Sequence, residues 1–280
     1  MTDRRLTPAN PRVAAERLRG LVAAPRFTGG DRRQVARPLA DLCAAPGGPR
    51  DRQLLWGEAV ILYEEIDGWA FVEAARDGYV GYMLAAALGA PLAATHIVSV
   101  PASHLYPAPD LKRREIAGLS FGSRLRVVSG SGDFFETAEG HFVPKPHLRP
   151  ANRPFADPAT VAQLFFGAPY LWGGNAIWGI DCSGLVQAAL LACGLPCPGD
   201  SDLQERVVGR PLPDGAALQR GDLIFWKGHV ALAVDGATLI HANAHHMAVA
   251  YEPAAEALAR IEAKGGGRPS SRRRPAPSPA

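Results

Sequence analysis

Residues 182–193 place Leu185, Val186, Ala189, Leu190 and Cys193 on one face of a helix, and Gly194 and Pro196 close the pattern. Asp157 followed by Pro158 marks an earlier helix start, with the aspartate as cap and the proline in the first turn. A third, shorter helix is expected from Ser201. Its hydroxyl and Gln204 have the capping-box spacing, and Gly209 ends it. The pattern then changes, and Asp222–Trp226, His229–Val234 and Ala237–Asn243 read as strands. Residues 160–260 are therefore a mixed helix-and-strand region. Ahead of them, residues 30–150 hold only short apolar runs. AVILYEE, WAFVEA and YVGYM follow Gly57-Glu58, Asp67-Gly68 and Asp77-Gly78 in turn. A weaker copy follows: RLRVV after Gly122, FFETA after Gly132-Asp133, and HFVP after Glu139-Gly140. Upstream, ADLCAAP (40–46) parallels SHLYPAP (103–109). Each copy has about 60 residues, enough for a small meander barrel. Arg149–Pro154 (RPANRP) has the composition of a linker.

The expected fold class is thus α+β. An extension (1–30) precedes two small all-β barrels (31–92 and 93–150), a mixed domain (155–262) and a basic tail (263–280). The tail has too little apolar area to fold and is expected to be flexible.

Composition narrows the function classes. With 47% hydrophobic and 20% charged residues in 280, the chain can bury a sizeable core. No apolar run approaches the ~18 residues of a membrane span. The net charge of +3 misleads: Lys264, Arg268, Arg272, Arg273 and Arg274 fall in a tail without acids, so the remainder is slightly acidic. That gives no case for nucleic acid. The N-terminus has basic residues but lacks the apolar run of about 7–15 residues of a secretory signal, and cytoplasm is the expected location. Cys43, Cys182, Cys193 and Cys197 are too few and too unevenly spaced for a disulfide framework. Cys-x3-Cys is not a usual zinc spacing, and His241, His245 and His246 lack a partnering carboxylate pattern. No metal or organic cofactor is expected.

Cys182 is different. It opens the second helix within Gly-Ile-Asp-Cys-Ser-Gly-Leu, where unpaired backbone N–H groups and the helix dipole favour a thiolate. A small buried hydrophobe is the ordinary role of a cysteine, but flanking Asp181, Ser183 and Gly184 fit a core position poorly. Cys193, on the same helix, reads as packing. A thiolate nucleophile needs a histidine base and a group to orient it. His229 and His241 lie on adjacent strands. A two-residue loop at Asp235-Gly236 puts them on opposite faces. A three-residue loop, Val234–Gly236 with Gly236 left-handed, pairs Ala233 with Ala237 and sets His229 directly opposite His241, with Cβ atoms ~5 Å apart. The second register is expected, with Ala231 and Ala233 making room for the Cys182 helix. His96, His104, His141 and His147 read as scaffold.

The motifs Tyr170-x-Trp-Gly-Gly, Asp181-Cys-Ser-Gly-Leu-Val, Gly221-Asp-Leu-Ile-Phe-Trp and Gly228-His-Val resemble, in order and spacing, the NlpC-type bacterial cysteine peptidases. The resemblance covers about residues 155–262 and implies a papain-like fold, with Cys182 as nucleophile, His229 as base and acid, and His241 as orienting residue. The front half resembles the paired SH3-like domains of one branch, the γ-D-glutamyl-L-diamino-acid endopeptidases. That branch cleaves murein peptides after L-Ala-γ-D-Glu with a free amino group. It implies a pocket of Tyr170, Asp181, Ser183, Asp200 and Ser201, closed by Glu58 and Tyr79 of the first SH3-like domain acting as a lid. Glu58, Asp200 and a tyrosine hydroxyl suit an ammonium group, and Ser183, Ser201 and helix N–H groups suit the D-Glu carboxylate. The expected role is recycling of free murein peptides in the cytoplasm. The alternatives are an amidase or acyltransferase on another substrate, and a non-catalytic module that binds peptides or wall.

Overall fold

The computed structural model describes residues 3–213 and 215–276, and the chain divides into two compact units, 1–152 and 153–280. In the first unit a seven-stranded antiparallel sheet runs in the order Arg50–Leu55, Leu39–Cys43, Val80–Leu84, Trp69–Ala74, Ala59–Ile66, Asp31–Val35, Leu88–Gly89. Its core gathers Leu42, Leu54, Val60, Val72, Tyr79 and Met83. The Asp67-Gly68 turn behaves as its chemistry requires: both residues have positive φ, and Ile66 pairs with Trp69 across a two-residue loop. The extension joins this barrel, since Val13 and Ala15 pack with Tyr63, Phe71 and Val80. A second set of short strands, from His96–Val98 to Leu148–Pro150, surrounds Val98, Leu105, Leu119, Leu125 and Val143. Trp56 enters that second core, and Arg124 N–H donates to its carbonyl at 2.8 Å. A Cβ at the adjoining Gly57 would run into the Arg124 carbonyl, which accounts for glycine there.

Among the described residues the second unit places four α-helices around a six-stranded sheet. The helices are α1 (Pro158–Gln163), α2 (Cys182–Ala192), α3 (Ser201–Val207) and α4 (Ala254–Ile261). The strands are β1 (Arg210–Pro211), β2 (Leu223–Trp226), β3 (His229–Ala233), β4 (Thr238–Asn243), β5 (Ala248–Pro253) and β6 (Ser271–Arg274), in the order β1-β6-β2-β3-β4-β5. Asp157 caps α1 as expected, accepting from the N–H groups of Ala159 and Thr160. α3 starts one residue off the expected cap. Asp200 is its N-cap residue, without a side-chain cap bond, and Ser201 is its first helical residue. Gln204 instead donates to the carbonyls of Ser183 and Pro198, tying α3 to the start of α2.

The tail departs most from expectation. Residues 271–274 form β6, an interior strand between β1 and β2, rather than a flexible arginine run. Backbone pairing to β2 needs no apolar side chains, and Arg274 makes a bidentate pair with the fully buried Asp222 at 2.7 and 2.8 Å. The peptidase-like domain therefore extends beyond residue 262. Residues 277–280 lie outside the described part. Among the described residues no helix is long and apolar enough to cross a membrane.

Candidate active site

Cys182 is the first residue of α2, as the sequence requires, and its helix start is bound from several sides. Asp181 is the N-cap: its Oδ1 accepts from Gly184 N–H at 2.6 Å and from the Ser183 hydroxyl at 3.0 Å, and its Oδ2 from Gly173 N–H at 2.9 Å. The aspartate thereby joins the Trp-Gly-Gly loop to the start of α2. A Cβ at Gly184 would lie 2.5 Å from the Gly174 carbonyl oxygen, so this approach needs glycine at 184, while a Cβ at Gly174 would run into the Gly179 carbonyl. Tyr170 stands in the same loop, bridged to Ile180. Burial raises its phenol above the ordinary range, and the charges of Cys182 and Asp181 push it further. α2 itself packs across β3 and β4, the strands that carry both histidines.

The two rings meet, though not in the expected register. Ala233 pairs with Leu239 and Leu232 with Ile240, so continuing the ladder puts Asn243, not His241, opposite His229. The cause is Asp235, whose carboxylate accepts from Ala237 and Thr238 N–H at 2.8 and 2.7 Å. That makes Asp235–Ala237 the loop, closed by Val234 N–H to the Thr238 carbonyl, and Gly236 is not left-handed. A two-residue shift preserves the face, so the histidines are diagonal neighbours with His229 Nε2 and His241 Nδ1 2.9 Å apart. Ala231 and Ala233 pack with Ala254 and Ala257, so the helix their small side chains admit is α4, not α2.

Two residues that the motifs do not reveal complete the array. His241 Nε2 lies 3.0 Å from Glu252 Oε2, and Arg260 of α4 grips both Glu252 oxygens at 2.7 Å. Arg260 holds the Glu252 carboxyl down at about 2, with His241 contributing less, so Glu252 is ionised and can only accept. His241 must then carry its proton on Nε2. Burial lowers its pKa below the ordinary value, so it is neutral and its Nδ1 accepts. His229 must in turn donate from Nε2, which leaves its Nδ1 with the lone pair. Burial above all, with the neighbouring His241 and the Arg260 charge adding to it, also keeps His229 neutral. Hydrogen-bond chemistry thus sets one direction through the array and makes His229 Nδ1 the basic atom. Trp226 packs beside this ring, with centroids 5.6 Å apart.

Glu252 to Gln keeps the shape but removes the charge that fixes the His241 tautomer. Loss of a charged hydrogen bond predicts a fall in kcat of about 10- to 100-fold with little change in KM. Steady-state kinetics on a variant with an unchanged thermal midpoint check this. The buried histidines also predict a pH effect on stability. Their folded-state pKa values lie below the unfolded 6.5, so the unfolded chain takes up protons first. The stability is complete above about pH 6.5 and is lost as pH falls toward about 4, where His241 titrates. Urea midpoints across that range measure it, and a flat profile contradicts neutral burial.

The other candidates occupy different settings. Ser183 is buried against Asp181, while Asp200 and Ser201 open α3 beside the Gln204 link. Glu58 and Tyr79 belong to the first unit. Glu58 accepts from Arg76 at 2.8 and 2.9 Å and from Leu55 N–H at 2.8 Å, and Tyr79 is in the barrel core. Cys193 is buried packing. Among the described residues no group of histidine, cysteine and acid side chains could hold a metal ion.

A cysteine at a capped helix tip, with two hydrogen-bonded histidines on the strands that its helix packs across, is the arrangement that a papain-like cysteine hydrolase requires. Residues 167–261 match the NlpC/P60 family, and residues 42–88 match the bacterial dipeptidyl-peptidase SH3 domain. The γ-D-glutamyl-L-lysine dipeptidyl-peptidase of Bacillus subtilis is 31% identical over 215 residues, which cover 68% of this chain and 71% of that one. The peptidoglycan endopeptidase RipB of Mycobacterium tuberculosis is 29% identical over 191 residues, covering 62% and 76%. A crystal structure of an NlpC/P60 family protein from Bacillus cereus shares the fold, with a TM-score of 0.73 at 22% identity over 88% of this chain and all of that one. The chain belongs to the NlpC/P60 family and is a cysteine peptidase with an SH3-like domain ahead of its peptidase domain.

Proposed function

We propose that this peptidase hydrolyses the γ-D-glutamyl–diamino acid bond of free murein peptides whose N-terminal L-Ala is unblocked, in the recycling of cell-wall fragments. The directed array from Arg260 through Glu252 and His241 to His229 carries the chemical part of this reading. The name of the B. subtilis relative supports the bond, and that of RipB the source of the peptide.

In this mechanism the Cys182 thiol passes its proton to His229 Nδ1, and sulfur attacks the γ-carbonyl carbon of D-Glu. The C–N bond breaks as His229 returns that proton to the leaving amine, and a thioester to Cys182 remains. Water then attacks the thioester with His229 as base, releasing L-Ala-γ-D-Glu and restoring the thiol. The N–H groups at the start of α2 are suited to the oxyanion. Tyr170 and Asp200 supply acceptor capacity for the L-Ala ammonium, and Ser183 and Ser201 supply hydroxyls for the D-Glu carboxylate.

The test is incubation with L-Ala-γ-D-Glu-meso-diaminopimelate and with its N-acetylated form, with products read by mass spectrometry. Cleavage of the free peptide alone is expected. Equal cleavage of both contradicts recognition of the amine, and cleavage of neither contradicts the substrate.

A further inference from the structure

Beside His229 the second unit opens into a groove of about 340 Å³, lined by Lys227, Asn243, His245, Arg260 and Lys264, with Trp226 on its wall. Its size is near the lower end for small-ligand sites, enough for one residue of a peptide rather than a long chain. Its charge is one-sided: Lys227, Arg260 and Lys264 line it, and no acid does. Lys227 sits in the two-residue turn between β2 and β3, since Trp226 pairs with His229. Among the described residues neither Lys227 nor Lys264 has a carboxylate within ion-pair distance. Lys264 Nζ instead contacts His245 Nδ1 at 3.1 Å, as donor to a neutral imidazole. His245 titrates below its ordinary value, from desolvation first and then from the charges of Lys264 and Arg260.

The position of the groove gives this charge a meaning. The amine that leaves must receive its proton from His229, so the residue bearing that amine lies on the His229 side of the scissile bond. The groove borders His229 itself, within reach of substituents of that residue. A lysine there ends in an ammonium group, which Lys227 and Lys264 repel. A diamino dicarboxylic acid keeps that ammonium but adds a carboxylate on the same carbon, so its end is net neutral and the ammonium groups of Lys227 and Lys264 can hold the carboxylate by charge-assisted hydrogen bonds.

We propose that this groove is a carboxylate-binding subsite for the leaving residue, with Lys227 and Lys264 as its specificity-determining cations, and that it selects a diamino dicarboxylic acid over lysine. The inference rests on the function proposed above and adds the identity of the leaving group, where the B. subtilis relative is named for lysine.

The experiment compares kcat/KM for L-Ala-γ-D-Glu-meso-diaminopimelate, the same peptide with its distal carboxylate amidated, and L-Ala-γ-D-Glu-L-Lys. The full chain is used, as wild type, Lys227→Glu, Lys264→Glu and Lys264→Arg. The wild type is expected to favour the diaminopimelate peptide by about tenfold or more over both others, the cost of losing a charge-assisted contact. Each charge reversal should raise KM for that peptide alone with kcat retained, and Lys264→Arg should keep the preference. Equal kcat/KM for all three peptides in the wild type overturns the subsite while leaving the hydrolase intact. So does a charge reversal that lowers activity on every peptide alike. Cleavage of none of them overturns the proposed function itself, and the subsite with it.

Discussion

Replacement of Cys182 by alanine is expected to lower kcat on a γ-D-glutamyl peptide by about 10⁴-fold or more while the fold persists. The size of the loss follows from the chemistry. Without sulfur no thioester forms, and water would have to attack the amide directly, with only the α2 N–H groups and the positioned imidazole to help. Stability should change little. Cys182 opens a helix whose start is held by Asp181, Gly173 and Gly184, and none of those bonds uses the thiol. Kinetics with a large enzyme excess, together with the thermal midpoint, separate lost chemistry from lost folding. Activity within tenfold of wild type would remove Cys182 from the reaction.

Replacement of His229 by alanine is expected to cost about 10²- to 10⁴-fold, the usual contribution of general acid–base catalysis. Its pattern should differ from that of the Cys182 variant. The imidazole is needed both to take the thiol proton and to protonate the leaving amine, and an amide cannot expel an unprotonated amine. An ester of the same γ-glutamyl group with a good leaving group needs no such proton. It should therefore be hydrolysed by the His229 variant at raised pH, where the thiol ionises unaided, while the amide stays intact. Comparing both substrates across pH in the two variants reads this directly. Equal losses on ester and amide would mean that the substitution has damaged the site rather than removed a proton carrier.

How much of this was legible in the sequence depended on whether the cause was local. Asp157 before Pro158, and the apolar spacing after Asp181-Cys182, act within one or two turns, and both helices start where those residues place them. The hairpin between the histidines depended on a single side chain. Asp235 accepting from Ala237 and Thr238 moves the loop along by one residue, which a count of loop length does not detect. The face was still right, because the resulting shift is two residues. The arginine strand was missed because its stabilisation is remote: Arg274 finds Asp222 across the sheet, and nothing near residue 274 announces it. Glu252 and Arg260 look like solvated charges when taken singly. A faint signal was present, since Ala250 pairs with His241 and Glu252 lies two residues on, on the same face. An acid on a histidine-bearing face, eight residues before an arginine on the next helix, was readable only once β4 and β5 were known to pair.

The central claim is that Cys182 is a thiolate nucleophile served by His229. The most direct measurement is the rate at which a small alkylating reagent modifies each cysteine between pH 5 and 9, in the wild type and in His229→Ala, with the sites assigned by peptide mass spectrometry. All four cysteines are buried, but Cys182 alone opens a capped helix, so near neutral pH it should react far faster than Cys43, Cys193 and Cys197. Loss of the imidazole should move its reactivity toward the pH range of an ordinary thiol, about 8.5. A Cys182 that reacts no faster than the other three, or whose pH profile ignores the loss of His229, would contradict the account.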